Sequence, residues 1–361
     1  MILVSVINAY LINLFSLFVR SKRNVSFILL LIVMIWIIWK TPNTVPDYIN
    51  YYNSYYLGND RYAWFYNVIR NVFVYFNLPF ATFRNLILTF SMLISLLAVR
   101  NFTNKFNFYY LIYFLVPFFL DIIQIRNTVM FSFIFLGISF LVTPKKHNGI
   151  LSLIVIMLGC GFHTGGYFYL LIFPIYFISN RGKRTQFNVL RWIIPSILFL
   201  ITVIALVTKH TAFFSQLVLH LSTDQQVEIY ATRITNDSLL AKLLFIFTFS
   251  MMTLIANQML TIAEKYNYDE KSVKIMKLIV VILVVASISL PLISIDTTFQ
   301  RYFRNDISFL TIGIIILFER NIIVFKSIII FIEYLICIGI LIWLIIYKDI
   351  FENTVKIILG L

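Results

Sequence analysis

The sequence predicts an all-α, polytopic integral membrane protein, and three observations carry that expectation. Hydrophobic residues make up 61% of the chain and charged residues 12%, at a mean hydropathy of +0.91, which leaves too little polar sequence to cover a soluble core. Apolar stretches near the ~20 residues that cross a bilayer recur from end to end. Lys and Arg collect in the short connectors between them, as they do in cytoplasmic loops. One multispan membrane domain over 1–361 is expected.

The elements follow in order. The first span is read over 2–19, apolar from its start and without a basic n-region, hence as a retained helix rather than a cleaved signal. Arg20, Lys22 and Arg23 follow it, and a second span covers 26–39. Residues 40–79 form a polar, aromatic excursion that opens with Pro42, Pro46 and Asp47 and runs through Tyr48, Tyr51, Tyr52, Tyr55 and Tyr56. Its later part, 61–78, has the amphipathic character of an interfacial segment. Spans at 80–99, 107–123 and 128–142 are followed by Arg100 and Lys105, by a polar break, and by Pro144, Lys145 and Lys146 respectively. Spans at 149–162 and 167–179 come next, then Arg181, Lys183, Arg184 and Arg191 around the start of a span at 192–208. A second polar excursion, 209–238, holds Lys209, His210, His220, Asp224, Glu228 and Arg233. Spans at 239–260 and 278–295 flank a charged connector. A polar segment, 296–306, precedes a short apolar stretch at 307–318 that crosses or re-enters, and a last span covers 327–347. The total is about 11–12 spans.

Strict alternation places the basic connectors 20–23, 100–105, 144–148 and 180–191 on one side, which the positive-inside bias makes cytoplasmic. The two excursions, the break around Arg126, the turn at His163 and the 296–306 segment then share the extracytoplasmic side. The formal charge of +14 is accounted for by this topology, and no basic patch has nucleic-acid-binding spacing, so no nucleic-acid partner is expected. Cys160 and Cys337 lie in apolar stretches and make neither a disulfide framework nor a metal site. No tight metal-ligand spacing, nucleophile elbow or steady internal repeat is present, so no metal or cofactor is expected and an inverted-repeat transporter is not supported.

Four groups of residues carry candidate chemistry. Asp47 with Tyr48, Tyr51, Tyr52, Tyr55 and Tyr56 would stack sugar rings and hold their hydroxyls; an interfacial aromatic belt has the same composition. Asp60 and Arg61 extend the group as a further polar pair. Asp121, Gln124, Arg126 and Asn127 put charge at the edge of an apolar span, where it is costly and marks a paired or wet environment. The Arg126 fork fits phosphate oxygens, although snorkelling to headgroups also explains it. His163, in Cys160-Gly161-Phe162-His163-Thr164-Gly165-Gly166, would orient or deprotonate a hydroxyl, or hydrogen-bond across helices as a buried histidine. Asp296 with Arg301, Tyr302 and Arg304 offers a second anionic clamp, an acid/base group, or a simple turn.

Taken together, Asp47-Tyr48 with the following tyrosines, Gln124-Ile125-Arg126-Asn127, Phe162-His163-Thr164-Gly165 and Arg301-Tyr302 resemble, in order and spacing over about 45–305, the EpsG family of bacterial exopolysaccharide, O-antigen and capsular repeat-unit polymerases. The family pattern Ile-Arg-Gln reads Ile125-Arg126-Asn127 here. The resemblance implies a membrane glycosyltransferase of the bacterial cytoplasmic membrane that joins undecaprenyl-pyrophosphate-linked oligosaccharide repeats on its outer face. Arg126, His163 and Asp47 would be catalytic; Tyr48, Tyr51, Tyr52, Gln124, Asn127, Arg301 and Tyr302 would bind substrate. Implied partners are the lipid-linked donor and acceptor, membrane lipids, a chain-length regulator and a repeat-unit flippase. Another polyprenyl-donor glycosyltransferase, an O-acyltransferase, and a lipid-linked oligosaccharide flippase or polysaccharide exporter are the competing readings.

Overall fold

The computed structural model describes residues 2–17, 26–58, 62–143, 147–181, 184–208, 213, 215–216, 238–319, 325–347 and 351–359. Among the described residues the chain is all-α, as a polytopic membrane protein requires when each backbone N–H and C=O must be satisfied within its own segment. Among the described residues, four helices are long and apolar enough to cross a membrane: Phe80–Phe102, Thr185–Thr208, Leu239–Lys265 and Phe325–Leu344. A bent pair, Phe106–Leu115 with Pro117–Ile123, makes a fifth, and Leu3–Ser16, Ser26–Lys40, Ile125–Leu141 and Asn148–Cys160 are shorter apolar helices. The helices group into two compact units, 1–166 with 342–361, and 167–341.

The first unit opens with α1 (Ile2–Ser16) and α2 (Ser26–Lys40). The excursion folds into two short helices, α3 (Tyr48–Leu57) and α4 (Trp64–Tyr75). There follow α5 (Phe80–Phe102), α6 (Phe106–Leu115), α7 (Pro117–Ile123), α8 (Ile125–Leu141) and α9 (Asn148–Cys160). A polar knot ties α1, α2 and α6: Asn13 Nδ2 donates to the Asn107 carbonyl at 3.0 Å, Asn107 Nδ2 to Ser16 Oγ at 2.7 Å, and Ser26 Oγ to Asn13 Oδ1 at 3.0 Å. Such bonds stand in for the hydrophobic driving force that apolar surroundings cannot supply between helices. The α8–α9 contact is close because it is built on glycines. A Cβ at Gly137 would lie 2.6 Å from Ile156 Cγ1, and one at Gly159 2.9 Å from the Met130 carbonyl oxygen. On its other side α8 meets α5 through Asn101 Nδ2 to Ser139 Oγ, 2.8 Å, and the stacked rings of Phe102 and Phe135.

The expected span 107–123 is one helix broken by 62° ahead of Pro117, whose ring cannot continue the preceding turn. The helix expected from 128 already starts at Ile125, because Gln124 leaves helical space at φ −95°, ψ 59° and restarts the chain.

The second unit contains most of the 3-10 stretch Thr164–Leu171, then α10 (Ile172–Arg181), α11 (Arg184–Asn188), α12 (Ile194–Thr208), α13 (Leu239–Lys265), α14 (Glu270–Ser287), α15 (Leu290–Ile293), α16 (Arg301–Glu319) and most of α17 (Phe325–Tyr347). Ile197, Leu200, Ile204 and Val207 of α12 are exposed, as a lipid-facing surface would be. The expected span 278–295 divides at Ser287, and the polar residues from Arg301 onward form the first turns of α16 rather than a loop. Asp60, Arg61, Arg20, Lys22, Arg23, Lys145, Lys146, Lys183 and the chemistry-bearing residues of 209–238 (His210, His220, Asp224, Glu228, Arg233) lie outside the described residues.

Candidate functional site

The break at Gln124 positions Arg126. Thr128 clamps the break by donating its hydroxyl to the Asp121 carbonyl at 2.8 Å and to the Gln124 carbonyl at 3.1 Å, while its amide bonds Gln124 O at 3.0 Å. Arg126 therefore sits in the first turn of α8, the end where the helix dipole favours an anion. It is only 6% exposed, and its guanidinium carbon lies 3.8 Å from the centroid of the Tyr62 ring. A cation seated on a ring face in a desolvated setting is stabilised by ~2 kcal/mol. Asn127 is buried and Gln124 half-buried beside it. The Asp121 carboxylate is engaged on α7, accepting the Tyr113 hydroxyl at 2.8 Å.

Tyr62 belongs to an aromatic wall made by the excursion. Its ring packs edge-on to Tyr66 at 5.2 Å and lies 6.1 Å from Tyr51. Tyr66 and Tyr55 both contact Phe83 of α5, at 5.6 and 5.1 Å, while Tyr48 and Tyr52 meet Phe80. Arg70 Nε donates to the Tyr55 carbonyl at 2.8 Å and Tyr55 Oη to the Leu78 carbonyl at 2.7 Å, so α3, α4 and the start of α5 are held together. Burial pushes the phenols of Tyr48, Tyr55 and Tyr66 above the ordinary tyrosine value. These three rings are thus neutral surfaces at physiological pH. Asp47, just before α3, is exposed and held in the left-handed region at φ 62°, ψ −8°. A non-glycine residue persists there only when its surroundings enforce it.

The His163 turn joins the same wall. The first amides of α4, Phe65 N and Tyr66 N, donate to the Gly161 carbonyl at 2.8 and 3.0 Å, capping the helix on the end of α9. Only glycine fits there, because a Cβ would lie 2.6 Å from Phe65 Cβ. Phe162 packs between Phe65 and Phe133, at 5.0 and 5.6 Å. His163 is half-buried, and its Nδ1 accepts the Gly165 amide at 3.0 Å while its carbonyl accepts the Gly166 amide at 2.9 Å. With Nδ1 occupied as an acceptor, the neutral ring carries its proton on Nε2. In this geometry His163 is a hydrogen-bond donor at Nε2 rather than a base there.

The first unit thus brings Tyr51, Tyr62 and Arg126 into contact and, through α4, links them to the Gly161–His163 turn. Tyr48 and Tyr52 line the α5 side of the same excursion. Arg84, absent from the candidates read in the sequence, is buried beside Tyr48 at 3% exposure. A lone cation inside the otherwise apolar 80–99 span is the signal that could have found it. Tyr62 carries no such signal, because its role comes from docking alone.

In the second unit Arg301 and Tyr302 open α16, both half-buried. The Tyr302 ring meets Phe168 at 4.8 Å, and its carbonyl lies 3.1 Å from Tyr169 Oη. Tyr169 Oη also lies 3.3 Å from Oδ1 of Asp306, a carboxyl 1% exposed that is likewise absent from the candidates read in the sequence. Asp296 plays a structural part, since its carboxylate accepts the Thr298 amide at 2.6 Å and caps the 3-10 turn Thr297–Gln300. Among the described residues no three His, Cys, Asp or Glu side chains converge as metal ligands.

No curated protein and no solved structure matches the chain. The EpsG family matches it over residues 23–356, nearly its whole length. That match and the multiple apolar helices support a polymerase-type enzyme of polyprenyl-linked glycans, multi-pass in a bacterial inner membrane. A match of that extent means that the chain belongs to the EpsG family.

Proposed function

We propose that the protein joins undecaprenyl-pyrophosphate-linked oligosaccharide repeats on the outer face of the cytoplasmic membrane. The observation that carries this reading is Arg126: a buried guanidinium, seated on Tyr62 at the N-terminal turn of α8, in a wall of tyrosines. A phosphate-matching fork beside stacking surfaces suits a ligand with a pyrophosphate and sugar rings.

In the reaction, the bond between the anomeric carbon of the donor block and its pyrophosphate oxygen breaks. A hydroxyl of the acceptor block attacks that carbon, forms the new glycosidic bond and loses its proton, and the polyprenyl pyrophosphate leaves with the bonding pair. Arg126 takes the charge that develops on the leaving oxygen, aided by the dipole of α8. His163 Nε2–H donates to a substrate oxygen and orients it. Asp47, exposed at the start of α3, receives a sugar hydroxyl and assists removal of the acceptor proton, and Tyr48, Tyr51 and Tyr52 stack sugar rings. Gln124 and Asn127 line the pyrophosphate position, and within the second unit Arg301 and Tyr302 are the substrate-binding residues. The lipid-linked donor supplies the driving force, so no cofactor enters.

The reading is tested by polymer length in membranes carrying Arg126→Ala or His163→Ala at matched protein levels. Both variants should lose long polymer; normal polymerisation in both would remove the assigned roles.

A further inference from the structure

We infer that Arg84 is a second anion-binding position in the first unit, one that receives a phosphoryl or carboxylate group of the substrate. Arg84 is 3% exposed in the second turn of α5. Its Nη2 donates to the Thr41 carbonyl at 2.8 Å and its Nε to Asn85 Oδ1 at 3.1 Å. Its guanidinium carbon lies 5.3 Å from the centroid of the Tyr48 ring. Its Nη1 is buried with no hydrogen-bond partner among the described residues. No described carboxylate lies within ion-pair distance of it.

A full charge is thus held out of water by two neutral acceptors and a ring face. Burying a cation is costly unless an anion offsets it, and a chain that needed only packing here would do as well with an apolar side chain. Two residues flanking one exposed stretch touch the group: Thr41 bonds the guanidinium and Tyr48 lies against it. Between them in the sequence, Asn43, Thr44, Pro46 and Asp47 are exposed. An anion that displaces the Thr41 carbonyl exchanges a neutral acceptor for a charged one and meets Nη1 and Nη2 together. That is the bidentate geometry in which arginine binds phosphate and carboxylate most strongly.

Arg84 and Arg126 each lie against a tyrosine of one excursion, Tyr48 and Tyr62, and stand near the N-terminal ends of neighbouring helices α5 and α8. The pair is suited to a substrate with two anionic groups. The class of ligand rests on the reading of this unit as a lipid-linked glycan site; the anion binding does not. Two sources share the chemistry, the pyrophosphate of a second lipid-linked block and the carboxylate of an acidic sugar.

The test uses the full chain with Arg126→Met, in phosphatidylcholine nanodiscs, so that Arg126 makes no contribution. Thermal unfolding is followed against inorganic pyrophosphate and, separately, glucuronate. At least one probe should raise the midpoint, and adding Arg84→Met should weaken its apparent affinity fivefold or more. Loss for pyrophosphate identifies the lipid-borne group, and loss for glucuronate the acidic sugar. Should the double variant not fold, Arg84→Lys, which keeps the charge and lacks the fork, is judged by the same fivefold criterion. No midpoint shift with either probe, or a change below fivefold, would overturn the inference. The polymerase reading would survive that failure, since it is judged by the products of the Arg126 and His163 variants.

Discussion

Arg126 and Tyr62 are 64 positions apart in the sequence and in contact in the fold, the guanidinium carbon 3.8 Å from the ring centroid. Both are buried, at 6% and 8% exposure. The ring removes water from one face of the guanidinium and fixes its plane, so the edge that carries the N–H donors is presented in a set direction. Arg126→Lys should therefore behave almost like Arg126→Ala. A lysine keeps the charge and loses both the fork and the planar stack. Removing a donor aimed at developing charge costs ~10²–10³ in rate, and polymer formed per unit of protein in membranes checks it.

The platform itself is separable from the cation. Tyr62→Phe keeps the ring and should leave polymerisation within about threefold of wild type. Tyr62→Leu removes a contact of ~0.5–2 kcal/mol and should reduce activity ~2–30-fold. Equal activity in the two variants, read from polymer yield, would show that the ring face does not matter.

Gly161 tests the docking of α4. Gly161→Ala drives a Cβ to 2.6 Å from Phe65 Cβ, and the overpacking should cost ~1–3 kcal/mol in thermal or denaturant unfolding. Gly149→Ala is the control: nothing lies within 4 Å of its added Cβ, so no loss of stability is expected.

At His163, the occupied Nδ1 makes a directional prediction. A glutamine places its amide near Nε2 and an asparagine near Nδ1. His163→Gln should retain more polymer synthesis than His163→Asn. The opposite order would assign the chemistry to Nδ1 and remove the donor role.

In the second unit, Tyr169→Phe strips the phenol from Asp306 Oδ1 and the Tyr302 carbonyl. Asp306 Oδ2 is already buried with no hydrogen-bond partner among the described residues, so the variant should lose ~1–3 kcal/mol of stability. Denaturant unfolding at constant detergent measures it.

Much of this is legible in the residues alone. Gln124-Ile125-Arg126 breaks an apolar run with charge, and that alone locates the restart of a helix and the candidate cation. The tyrosines after Asp47 announce an aromatic excursion. What the sequence does not encode is where that excursion docks: Tyr62 meets Arg126 because α4 caps itself on Gly161, a contact between residues nearly 100 positions apart. Arg84 is visible as a cation in an apolar span, yet the hydropathy of its neighbours absorbs it into that span. Asp296 reads as chemistry because a capping carboxylate and a catalytic one look alike in sequence. The 62° bend at Pro117 and the start of α16 at Arg301 move the expected span limits, since hydropathy reports composition and not where a helix begins.

The proposed activity is the making of glycosidic bonds between lipid-linked repeats. Its most direct test is reconstitution of the full chain with one defined undecaprenyl-pyrophosphate-linked repeat, counting repeats per product and assaying which leaflet holds the lipid. A ladder of products in whole repeat units is expected, with one polyprenyl pyrophosphate released per bond formed. Unjoined repeats that have only changed leaflet would contradict it.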